Sequence, residues 1–142
     1  MKIVVSRCYK PPGLIIRAKA YYLELNDKGL YVVELGNASA MPQTRTHLQQ
    51  VIADAAVNYF DAKYEKEIVA REERLRNGEL DQLATEKRSY FLRKDEVQTF
   101  SVTPMGYDLQ VRIKGGKLSE KFQVAGQFGE SIREMMRVLG KS

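Results

Sequence analysis

Few residues in this chain have both the type and the spacing that chemistry requires. His47 is the sole histidine and Cys8 the sole cysteine of 142 residues, so a metal cluster built on His or Cys cannot be assembled. No P-loop, G-x-G-x-x-G or G-x-S-x-G occurs, and no spacing singles out a catalytic pair among the 18 acidic residues. His47 falls near the start of a helical pattern, where it reads as a first-turn surface residue rather than a general base. Cys8 lies in an apolar run beside Tyr9 and reads as a small core residue. The expectation is a non-catalytic protein with no cofactor and no metal.

Charge is the remaining source of chemistry. The formal net charge is +5, with six Lys/Arg against three Asp/Glu in residues 1–43, eight against nine in 44–88, and nine against six in 89–142. The surplus thus lies outside the middle segment, although that segment holds the most charged run, "EKEIVAREERLR" at 65–76. Its four acids and four bases cancel. Glu67 precedes Arg71, and Glu72 precedes Arg76, by four residues each, the favourable order on a helix. The run reads as a self-paired helical arm near the tip of an insertion, not as a grip for phosphate.

The chain is long enough for one domain with its own core, and its composition, 44% hydrophobic and 29% charged, is ordinary for a soluble globular protein. No apolar run approaches the roughly 18 residues of a membrane span. "MKIVVSRCYK" reads as a first strand rather than a signal peptide. With one cysteine no internal disulfide is possible, so a reducing compartment, the cytoplasm, is expected.

The elements that would position these residues follow from periodicity. "KIVVSRCY" ends at "KPPG", which forces a loop. "LIIRAKAYYLEL", from Leu14, and "LYVVEL" flank "NDKG" as a hairpin. The period then changes: Leu48, Val51, Ile52, Ala55 and Tyr59 share one helical face, with Thr46 and Gln49 as a capping box and Asn77–Gly78 as the stop. "ELDQLATEKR" predicts a second, shorter helix. Strands return in "SYFL", "VQTFSV", "YDLQVRIK" and "LSEKFQV", the last two joined by a turn at Gly115–Gly116. In "YDLQVRIK", Tyr107, Leu109, Val111 and Ile113 share one face. Phe128, Ile132, Met135, Met136 and Leu139 make the apolar stripe of a closing helix.

Three strands, a helical hairpin at about 42–88, four more strands and a C-terminal helix form one domain over 1–142. This element order resembles the pleckstrin-homology-like (PH-like) superfamily, and the lack of tryptophan points to its looser membership rather than the eukaryotic family. The resemblance implies an α+β fold: a seven-stranded antiparallel, partly open barrel or sandwich capped by the C-terminal helix, with the hairpin inserted between strands three and four. It also implies that Lys10, Arg17 and Lys19, around the first loop, meet phosphoinositide phosphates. The plainer reading of Arg17 and Lys19 is the solvent side of a half-buried strand.

Arg133, Arg137 and Lys141 recur every four residues on the closing helix. They suit an anionic membrane or a nucleic-acid backbone, or simply oppose the helix dipole. Tyr59, Phe60, Tyr64 and Ile68, with Val69, offer more apolar surface than one narrow stripe needs, which suits self-association. Tyr21, Tyr22 and Tyr31 could stack bases, though strand tyrosines are usually packed. The expected function is a binding module for a protein partner or an anionic membrane surface. The alternatives are self-assembly through the helical hairpin and, further off, nucleic-acid binding.

Overall fold

"KAYYLELN" and "LYVVELGN" are buried or half-buried at every position, the pattern of strands covered on both faces. The computed structural model shows why. It describes residues 1–11, 18–38, 47–86 and 88–141, with the backbone alone for 47–61. The two stretches are β2 (Lys19–Asn26) and β3 (Leu30–Asn37), flanked by β1 (Lys2–Lys10) and β4 (Tyr90–Leu92). The second half of the sheet is β5 (Thr99–Met105), β6 (Asp108–Gly115) and β7 (Leu118–Val124). The seven strands form one open antiparallel sheet in the order β4-β3-β2-β1-β7-β6-β5. The helices are α1 (His47–Arg76) and α2 (Leu80–Ala84), inserted between β3 and β4, and the C-terminal α3 (Gly129–Leu139). This α+β architecture is compatible with a PH-like fold.

The halves of the sheet meet where Tyr9 of β1 pairs with Gln123 of β7, just beyond a bulge between Val5 and Cys8. The sheet curls there, because side chains of both halves share one core: Leu23, Leu25, Leu30 and Val32 with Phe100, Val111, Ile113 and Phe122. Tyr21 and Phe122 meet edge to face across it, with ring centroids 5.1 Å apart. Ile132 and Met135 of α3 are fully buried in the same core, so the predicted stripe closes the barrel. Cys8 is also buried there.

On the opposite face of β2 and β3 lie two smaller clusters. Tyr31 and Val33 pack with Leu83 and Ala84 of α2, and Ala20 and Leu35 pack with Ile68 of α1. Alternate residues of β3 therefore serve two cores, and the strand has no polar face. From Ile68 through α2 the helical segment is a structural cover rather than an arm.

The charged run behaves accordingly. Arg7 of β1 donates to Glu65 (2.8 and 2.9 Å) and to Glu72 (2.7 and 3.2 Å). Arg71 donates to the Glu34 backbone carbonyl (2.8 Å) and to Glu86 (3.4 Å), while Arg74 pairs with Glu79 and Glu86. The expected pairing of Glu72 with Arg76 within the helix gives way to pairing across to the sheet and to the loop after α2. A guanidinium fork on a fixed strand loses less side-chain freedom than two long chains on one helix. Beside Arg7, the Glu65 carboxyl is held below its ordinary range.

Two further expectations change. The second helix spans five residues and stops at Thr85, short of the predicted end at Arg88, which has a left-handed φ of 64°. Tyr107 lies in the β5–β6 turn, fully exposed, rather than on a strand face. The predicted helix start at Thr46, and the strand start at Leu14–Arg17, lie outside the described residues.

Ile68→Ala is expected to lower stability by about 2–4 kcal/mol in urea unfolding, whereas exposed Val69→Ala stays within about 0.5 kcal/mol. Equal effects would contradict the docking of α1. Glu65 sets a pH test. Its depressed value makes the clasp complete above the ordinary carboxylate pKa of about 4.3, and the contribution is lost as pH falls through the folded value. Amide exchange in residues 64–76 should then accelerate relative to β6 and β7.

Candidate functional site

The β6–β7 hairpin positions the most concentrated unpaired charge among the described residues. Its strands alternate: Val111, Ile113, Phe122 and Val124 are buried, so Gln110, Arg112 and Lys114 of β6 and Ser119, Lys121 and Gln123 of β7 share the outer face. β5 adds Thr99, Ser101, Thr103 and Met105 to that face through its pairing with β6. The rows run Thr99–Lys114–Ser119, Ser101–Arg112–Lys121 and Thr103–Gln110–Gln123. Asp108, at the tip end, accepts a 2.7 Å hydrogen bond from Gln123.

The register comes from the turn. A two-residue turn at Gly115–Gly116 would set Arg112 opposite Ser119. Instead Gly115 still pairs in β6, and the turn is Gly116–Lys117. Gly116 supplies the positive φ (55°) at the first turn position. Gly115 is glycine for another reason: a Cβ there would collide with the Glu96 backbone carbonyl. The shift brings Arg112 directly opposite Lys121. Both are exposed, and neither forms an ion pair among the described residues. Like charges so placed repel.

Toward the turn of this hairpin, Lys10 closes a cleft of about 290 Å³ lined by Lys10, Pro11, Arg112, Ser119, Glu120 and Lys121. Lys10 Nζ is tethered to Glu120, 2.9 Å away. Sequence reasoning found Lys10 but missed Arg112 and Lys121 as a site, because it placed the turn one residue early.

The other predicted site residues disperse. Lys19 faces Lys10 across β1 and β2 but is nearly buried, its Nζ 3.3 Å from Glu34 and donating to Asn37 (2.9 Å). Its charge is therefore matched inside the fold. Arg17 lies outside the described residues. Arg133 is exposed on α3, and Arg137 there is bound to Glu134. Of the predicted self-association residues, Tyr64 and Ile68 are buried in the docked part of α1. The side chains of Tyr59 and Phe60, like that of His47, lie outside the described residues.

The tyrosines of the first hairpin are also engaged. Tyr22 donates to Glu24 (2.6 Å) and Tyr31 to Asp81 (2.6 Å), while Tyr21 packs on Phe122. Burial, then the bond to Asp81, pushes the Tyr31 hydroxyl up to about 12. Burial likewise pushes the Cys8 thiol up, which disfavours the thiolate a nucleophile needs.

No protein-family model matches this chain, and neither a curated protein nor a solved structure does. The geometry defines it as an α+β domain with a cationic sheet face.

Cys8 provides a direct check on the core. An aromatic disulfide reagent at pH 8 is expected to modify it only when the protein is unfolded by denaturant, at the rate of global opening. Rapid labelling of the native protein would place Cys8 in an accessible site.

Proposed function

We propose that this protein is a non-catalytic binding module that docks on an anionic membrane surface through the outer face of β5, β6 and β7. One observation carries the reading: exposed Arg112 directly opposite exposed Lys121, with Lys114 on the same face. The repulsion between the opposed cations is relieved when negative charge is placed over them. The described helices pack elsewhere, α1 and α2 against β3 and α3 against β1 and β5.

The tip of the β5–β6 hairpin favours a membrane over a nucleic acid. Met105, 45% exposed, belongs to the same face by register, and Tyr107 beside it is fully exposed. An apolar side chain and a tyrosine beside cations suit the boundary between headgroups and acyl chains. The rows themselves offer Ser, Thr and Gln and no aromatic ring on which bases could stack.

Sedimentation with phosphatidylcholine vesicles, with and without phosphatidylserine, tests the reading. Binding should require the anionic lipid and weaken with salt. Reversing both charges (R112E with K121E) should weaken it more than about tenfold, at roughly 1 kcal/mol per basic residue near such a surface. Reversal of exposed Lys66 on α1 (K66E) should change it little. A double variant that binds as the wild type does would overturn the reading.

A further inference from the structure

We infer that the cleft between the end of β1 and the β6–β7 hairpin is a site for a phosphate monoester, a proposal that rests on the anionic docking of this face. Three cations (Lys10, Arg112, Lys121) and one carboxylate (Glu120) line it. The surplus of two positive charges matches a phosphoryl monoester, which carries about −1.5 to −2 at neutral pH. A diester carries one negative charge and leaves a cation unmatched.

The geometry distributes the roles. Glu120 engages Lys10 at 2.9 Å, which fixes one ammonium at the rim and leaves Arg112 and Lys121 uncompensated. Their strand positions are directly opposed, with Cβ atoms about 5 Å apart, so both side chains can converge on one group held between them. Arg112 offers a planar fork for two phosphate oxygens, Lys121 a point charge, and Ser119 a hydroxyl. The volume of about 290 Å³ is at the lower bound for small-molecule sites and suits a single headgroup or small phosphate.

The monoester can come from a lipid headgroup or from a free phosphate, and the test separates them. In solution, glycerol 3-phosphate is titrated against dimethyl phosphate at constant ionic strength while the Arg112 side-chain N–H resonance is followed. On membranes, vesicles of phosphatidylcholine with phosphatidic acid are compared with vesicles of matched surface charge made with phosphatidylserine. The expected result is a saturable shift with glycerol 3-phosphate alone and about tenfold tighter binding to phosphatidic acid, the effect of one charge-assisted hydrogen bond.

Arg112→Lys keeps the charge but removes the fork, and should reduce that preference to about twofold or less. A monoester shift without vesicle binding would support the cleft as a site for soluble phosphate and refute membrane docking. Equal response to both phosphates, or equal binding to both vesicle types with phosphatidylserine binding intact, would overturn the cleft proposal and leave the docking face standing.

Discussion

The structure depends on covering β3 from both sides. Leu30 and Val32 enter the barrel core, while Tyr31, Val33 and Leu35 require a second cover. That cover is the inserted segment, through Ile68 of α1 and Leu83 and Ala84 of α2. Without it, a row of large apolar side chains on β2 and β3 would face water, a patch that monomeric proteins rarely expose. Hydrophobic burial therefore decides where the helices go. Electrostatics decides their alignment.

That division of labour also explains the asymmetry of charge. Acidic residues of the inserted segment meet bases of the first half of the sheet: Glu65 and Glu72 meet Arg7, and Asp81 meets Lys28. Lys19 and Glu34 neutralise each other between β2 and β3. Among the described residues the β5–β7 half receives no such partner on its outer face beyond Asp108 at the β5–β6 turn, so its cations are left unpaired there. One half of the sheet uses its outer surface for folding, and that of the other half is left uncovered among the described residues.

Local patterns made much of the fold legible. The first hairpin, the alternation of β6 from Leu109 and of β7, and the stripe of α3 each rest on neighbours within a few residues, and periodicity finds each of them, though with Tyr107 in a turn and the β6–β7 turn one residue later. β2 and β3 read from their local pattern as a hairpin, which leaves open that both of their faces are covered. The docking of α1 was hidden for a physical reason: its key partner, Arg7, lies 58 residues from Glu65 in the chain. Within the helix, Glu72 had a plausible partner in Arg76, and local spacing cannot rank that pair against a distant fork. The candidate site was half legible, since Lys10 follows from the first loop. Arg112 and Lys121 become a pair only through register, and register turned on which of two adjacent glycines makes the bend.

The Arg7 fork has a consequence for how the insertion can vary. Glu65 and Glu72 lie seven residues apart, close to two helical turns, and a single guanidinium holds both. Each added or deleted residue between them would rotate one carboxylate by about 100° around the axis, so the fork reads the phase of the helix as a vernier reads a scale. Length can be gained or lost N-terminal to Glu65 without disturbing that phase. Insertions and deletions in such a helix are thus confined to one side of a fixed mark, and Arg7 is the mark.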